Sequence, residues 1–186
     1  MEIQIRTVDD APSDARPTLQ AIQEKMGGLL PNLYCQMANA PVVLETYQYL
    51  AKQLTRTSFS PAEQQLIVLT TSVRNGCTYC VAAHSSGARI AGLDKDIIGA
   101  IRDGSAITDP RLQALRAFVE EMLETRGKVN PDKLSAFMEA GYSTDQALQL
   151  VIGISMKAMS NTVARLAGTP LDGFLEKMKW AGNERV

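Results

Sequence analysis

The sequence predicts an all-α fold, a single-domain helical bundle of eight or nine helices. Three observations carry that reading. Helix starts are written as a capping residue followed by proline, at Ser60-Pro61, Asp109-Pro110 and Asn130-Pro131. Proline at the first helical position loses nothing, because its missing N–H would be unpaired there anyway. Helix stops are written as glycine, at Gly27, Gly92, Gly104, Gly127, Gly141 and Gly168, the residue that most readily closes a helix with a left-handed turn. Between these marks apolar residues recur at three- and four-residue spacing. Strand signals are weak: no Asn-Gly turn separates alternating apolar runs, and the IQI near the start is too short to count.

Taken in order, the expected helices lie near 15–26, 41–55, 61–74, 77–91, 95–103, 110–126, 131–140, 144–167 and 171–180. The first runs to Gly27. The segment 41–55 follows Asn39-Ala40-Pro41, and 61–74 opens with Ser60 and Glu63 in capping-box spacing. Asn75-Gly76 separates it from 77–91, which stops at Gly92, and 95–103 stops at Gly104. The segment 110–126 carries Leu112, Leu115, Phe118, Val119 and Met122 on one side. Residues 131–140 run from Asn130-Pro131 to Gly141, and 144–167 opens with Ser143 and Gln146 in the same box spacing. The last, 171–180, rests on apolar spacing alone. The segments 61–74 and 144–167 are apolar nearly all round, which implies burial on several sides, in the core or between subunits.

The 186 residues suit one domain, 1–186, with no linker or low-complexity run. Nineteen basic residues balance twenty acidic ones, without a block of like charge, so neither nucleic acid nor an anionic membrane is an expected partner. The opening MEIQIRTVDD has no secretory character, and the longest apolar stretch, near Leu148 to Ile154, is far short of the roughly 20 residues of a membrane span. The expectation is a soluble, cytoplasmic protein. There a C-x-x-C is more often catalytic or metal-binding than a structural disulfide, and three cysteines do not make a paired framework.

The chemistry gathers in GCTYCVAAH, residues 76–84, which holds Cys77, Cys80 and the only histidine, His84. At helical spacing these three directions fall within an arc of about 60°, on one face, with Cys80 and His84 an i,i+4 pair. A helix N-terminus, an imidazole and a second thiol each favour thiolate, and together could lower a thiol pKa by on the order of one to several units. Three readings stand: a redox dithiol with a nucleophile, a resolving thiol and a base; a metal site, although C-x-x-C…H supplies three ligands where structural zinc takes four; and cysteines packed as small hydrophobes. No metal and no cofactor is expected.

The stretch from Glu63-Gln64-Gln65-Leu66-Ile67-Val68-Leu69 through Arg74-Asn75-Gly76-Cys77-Thr78-Tyr79-Cys80-Val81-Ala82-Ala83-His84 resembles the carboxymuconolactone decarboxylase-like superfamily, and within it the alkyl hydroperoxidase D and peroxidase-related branch. Gly28-Leu29-Leu30-Pro31-Asn32 with Asn39-Ala40-Pro41 resembles the family's N-terminal helical pair. Residues 142–171, with Asn161 and Arg165-Leu166-Ala167-Gly168-Thr169-Pro170, resemble its C-terminal helix. The resemblance implies a trimer or hexamer whose dithiol reduces hydroperoxides, with a peroxiredoxin partner or a lipoyl or other thiol reductant. It assigns attack to Cys80, resolution to Cys77 and the proton relay to His84. The founding decarboxylases lack the cysteine pair, so lactone decarboxylation is a poor match. A redox-sensing or interaction module of the same fold remains the non-catalytic alternative.

The sequence departs from that branch twice. Gln65 stands where the branch has a glutamate, and an amide cannot take a proton. Tyr79 replaces a histidine, and a phenol near pKa 10 is a poor base at neutral pH. Both then serve as hydrogen-bonding orienters. Glu63, the nearest acid, is a further candidate for the relay, although it points about 200° from Gln65 and has a capping role with Ser60. Cys35, Met156, Met159, Leu148 and Ile152 read as packing, Asn161 as part of a buried network or, less readily, a neighbour of the dithiol pocket, and Trp180 as an anchor against a neighbouring subunit.

Overall fold

The computed structural model describes residues 3–182. These form nine α-helices: α1 (Arg16–Lys25), α2 (Asn32–Met37), α3 (Pro41–Leu54), α4 (Pro61–Arg74), α5 (Thr78–Ile90), α6 (Lys95–Asp103), α7 (Pro110–Glu124), α8 (Pro131–Glu139) and α9 (Thr144–Leu166). A single 3₁₀ helix, Gly173–Met178, follows, and no strand occurs among the described residues.

The punctuation works as written. Ser60, Asp109, Asn130 and Ser143 each accept a hydrogen bond from a first-turn N–H, and Ser60–Glu63 and Ser143–Gln146 close full capping boxes. All six stop glycines take positive φ. Two elements differ from expectation. Helix α2 was not anticipated as a separate element, because its N-terminus is capped from far away: Asp172 Oδ1 accepts from Asn32 N at 3.0 Å. No local sequence signal announces such a cap. The expected helix at 171–180 is instead a 3₁₀ segment, tied at its end by Arg102 to the carbonyls of Met178 and Lys179.

Helix α4 is the axis of the bundle, packed against α5, α6, α7 and α9, with nine of its residues buried. Leu66, Ile67 and Leu69 face a core shared with α6, α7 and α8, while Val68 faces a second core shared with α1, α3 and α9. Each fully buried Leu or Ile contributes about 1.5–3 kcal/mol. Gly153 lets α9 approach α4, since a Cβ there would lie 2.9 Å from the Ile67 side chain. Trp180 is buried in this protein's own first core rather than presented to a neighbour. Leu148 is 73% exposed, so it lies outside the packed stripe that contains Met156.

Candidate active site

A tight α4–α5 junction places the two thiols. Gly76, at φ 65°, ends α4 with a pair of back-bonds, Gly76 N to Val73 O (3.0 Å) and Cys77 N to Ser72 O (3.0 Å). This is the Schellman arrangement, which needs a residue at ease with positive φ. Cys77 therefore closes one helix and is the N-cap of the next, and Cys80 occupies the third position of α5. There the unpaired N–H groups of the first turn present partial positive charge. Both cysteines are buried free thiols.

The site divides the two thiols chemically. Cys80 is pulled down to about 6 from an ordinary 9, first by the hydrogen bond from Cys77. Burial opposes the shift, and the charge of Lys157 and hydrogen bonds from Asn161 and Ser160 reinforce it. The Cys77 thiol is pushed up, because its proton is held by Cys80 and it is buried beside that negative charge. Asn161 and Ser160 are fully buried, and Ser160 also bonds the Tyr47 side chain. The Asn161 carbonyl is fixed by Asn75 Nδ2 at 2.8 Å, leaving the amide N–H₂ for the sulfur. Cys80 is thus the thiolate and Cys77 the protonated partner.

His84 stands one turn further along α5, with both ring nitrogens engaged. Nδ1 lies 3.1 Å from Gln65 Oε1, and Nε2 lies 2.8 Å from Lys157 Nζ. An amide oxygen only accepts and an ammonium only donates, so these partners assign the proton to Nδ1 and the lone pair to Nε2. Burial and the Lys157 charge hold its pKa well below 6.5, which keeps the ring neutral. Gln65 reaches the ring because Gly87 has no side chain: a Cβ there would lie 2.8 Å from Gln65 Oε1.

Cys80, His84, Gln65 and Lys157 form the floor of a cavity of about 420 Å³. Its walls include Leu29, Pro31, Tyr34, Tyr47, Ile90 and Phe174. The combination of apolar walls with a few convergent polar groups is that of a small-molecule site.

Of the residues singled out in the sequence, the fold brings Cys77, Cys80, His84 and Gln65 together. Tyr79 lines the cavity, but its hydroxyl donates to Asp172 Oδ2 at 2.7 Å and is pushed up chiefly by burial and that bond. It serves the α2 cap. Glu63 is not in the group: its carboxylate caps α4 and takes bonds from Arg111 (2.6 Å) and Tyr142 (2.8 Å). Burial alone would raise its pKa, but the Ser60 N–H, Tyr142 and Arg111 outweigh it and hold it low. The residues missed were Lys157 and Ser160. The available signal was Lys157 itself, the one charged residue between Asp145 and Arg165 on an apolar helix, four positions before Asn161. Among the described residues no group of three or more His, Cys, Asp or Glu could hold a metal ion, and no helix is long and apolar enough to cross a membrane.

The fold is that of the alkyl hydroperoxidase D type. An uncharacterized peroxidase-related protein from Ralstonia eutropha JMP134, described as an alkylhydroperoxidase AhpD core, is similar with TM-score 0.82 and 23% identity, covering 92% of each chain. A peroxidase-related protein from Silicibacter sp. TM1040 gives 0.79 at 18% identity, over 94% of this chain and 92% of the other. The debrominase Bmp8, in its C82A form with 2,3,4-tribromopyrrole, gives 0.76 at 15% identity, over 96% and 95%. No curated protein sequence matches this chain. Residues 41–121 match the Carboxymuconolactone decarboxylase family.

Proposed function

We propose that this protein is a thiol-dependent oxidoreductase that reduces organic hydroperoxides with Cys80 and Cys77. One observation carries the reading: at the floor of an apolar cavity, a buried thiolate at Cys80 takes its main stabilisation from the protonated thiol of Cys77. Such a pair is ready for attack by one sulfur and resolution by the other.

In the reaction, Cys80 Sγ attacks the terminal oxygen of the hydroperoxide. The S–O bond forms, the O–O bond breaks, and the leaving alkoxide takes a proton from the polar floor, where the family resemblance implies His84 as relay. Cys77 Sγ then attacks the Cys80 sulfenic acid, and hydroxide leaves as water with the Cys77 proton. One hydroperoxide and two thiols give one alcohol, one water and one disulfide. A dithiol reductant of the lipoyl type, or a peroxiredoxin partner, returns the two electrons by thiol exchange. A homo-oligomer is the assembly we propose for it, and we propose a cytoplasmic location, where such reductants are held.

The test is turnover. Reduced protein with excess dithiothreitol or dihydrolipoate consumes cumene hydroperoxide catalytically, and Cys80→Ser abolishes consumption. Oxidation that stops after one equivalent over hours leaves a redox-sensing module instead. The aromatic walls, Tyr34, Tyr47 and Phe174, together with the fold shared with the debrominase Bmp8, favour one second reading: reductive removal of a ring halogen by the same dithiol. Halide release from a bromopyrrole, without hydroperoxide consumption, would select it.

A further inference from the structure

Lys157 is buried to 1% exposure on α9, and among the described residues its one hydrogen-bonded partner is His84 Nε2. The three ion pairs found among the described residues involve Arg74, Arg111 and Arg116, so no carboxylate of the described residues pairs with this ammonium. The titratable groups that interact with it are Cys80 and His84 from α5, Cys77 at the N-cap of that helix and Tyr34 from α2, while Tyr47 from α3 lines the same cavity. Both tyrosines are pushed up, chiefly by burial, and stay neutral. Among the described residues, the Cys80 thiolate is then the anion that faces it. A buried cation persists when paired and sheds its proton when the pair is lost.

His84 is badly placed to supply the proton. Its Nδ1–H is directed to Gln65 and its Nε2 accepts from Lys157, so it has no proton free for the cavity. The Lys157 ammonium has three N–H groups, and His84 takes one.

We infer that Lys157 is a further catalytic residue: the counter-ion of the Cys80 thiolate and the acid that protonates the leaving oxygen, with His84 and Gln65 positioning its amine. The inference rests on the hydroperoxide reading above. The step balances: Cys80 thiolate, hydroperoxide and Lys157 ammonium give Cys80 sulfenic acid, alcohol and neutral Lys157 amine. The attack consumes the anion, so the same event that needs a proton removes the reason for Lys157 to keep it. When a dithiol reduces the Cys77–Cys80 disulfide, the thiolate returns and one of the two released thiol protons recharges Lys157.

The experiment uses two variants, each checked for its fold by circular dichroism. Lys157→Arg keeps the charge but cannot give up a proton at neutral pH; Lys157→Met removes both. Iodoacetamide labelling of Cys80, followed by mass spectrometry against pH, reads the counter-ion role without any peroxide. Lys157→Arg keeps the midpoint within about half a unit, and Lys157→Met raises it by about one unit or more. Single-turnover oxidation by hydroperoxides of graded leaving-alcohol acidity reads the acid role. Lys157→Arg is slower by about 10²-fold, and its rate depends more steeply on the leaving group. An unmoved labelling midpoint in Lys157→Met overturns the counter-ion role. A wild-type rate and leaving-group slope in Lys157→Arg overturns the acid role. If the wild-type thiols resist every hydroperoxide, the hydroperoxide reading falls and takes the acid role with it, while the labelling still decides the counter-ion.

Discussion

Lys157 Nζ lies 2.8 Å from His84 Nε2, a contact that makes the histidine an acceptor and the lysine the proton-bearing member of the pair. It links α9 to α5 at the point where α5 carries its thiolate. Cys80 labelling should reflect this. With the Cys80 thiol pulled down to about 6 by Cys77 first and Lys157 and the α9 hydrogen bonds after it, thiolate is present above that pH. Alkylation at Cys80 should rise through about pH 6 and level off near neutrality, whereas an ordinary thiol rises through about 8.5. By linkage, a depressed acid adds stability that is full above its unfolded pKa and fades as pH falls through the folded one. The reduced protein should therefore lose stability between about pH 9 and 6, and thermal melts of Cys80→Ala should lack that slope.

Asn161→Ala removes one donor to the Cys80 sulfur and leaves Asn75 without its acceptor. The Cys80 labelling midpoint should rise by roughly half to one unit. An unchanged midpoint would return Asn161 to a purely structural role.

Gly87→Ala is expected to slow hydroperoxide turnover several-fold although Ala is the better helix former by about 1 kcal/mol. The new Cβ would displace the Gln65 amide and so release His84 Nδ1. Gln65→Ala should produce the same defect, and the double variant should be no slower than either single one. Independent, multiplying losses would mean that Gly87 acts elsewhere.

Tyr79→Phe breaks the bond to Asp172 at the start of α2, a charge-assisted contact worth about 1.5–3 kcal/mol. Urea unfolding should show a loss of that order, with the Cys80 labelling profile unmoved. A shifted profile would place the phenol in the thiol chemistry after all.

What the sequence made legible is local. Caps at Ser60, Asp109, Asn130 and Ser143, and the glycine stops, act within one turn of themselves, so the helices they bound were readable. The i, i+3, i+7 spacing of Cys77, Cys80 and His84 survives folding because they share one helix and its cap. Helix α2 depends on Asp172, 140 positions away, and Lys157 meets His84 across 73; neither pairing has a local signature. Glu63 shows the opposite case. Its capping spacing with Ser60 was readable, but Arg111 and Tyr142, which complete its surroundings, were not. Trp180 misled because an apolar residue near a terminus reads alike whether its own core or another subunit covers it.

The most direct measurement follows the oxidation state of each cysteine after one equivalent of cumene hydroperoxide, by mass spectrometry of the quenched protein. The wild type should contain a Cys77–Cys80 disulfide within a single turnover, Cys77→Ser should stop at a sulfenic acid on Cys80, and Cys80→Ser should stay reduced. Sulfenic acid on Cys77 in the Cys80→Ser variant, or a wild type whose thiols remain reduced, would contradict the assignment of Cys80 as the attacking sulfur.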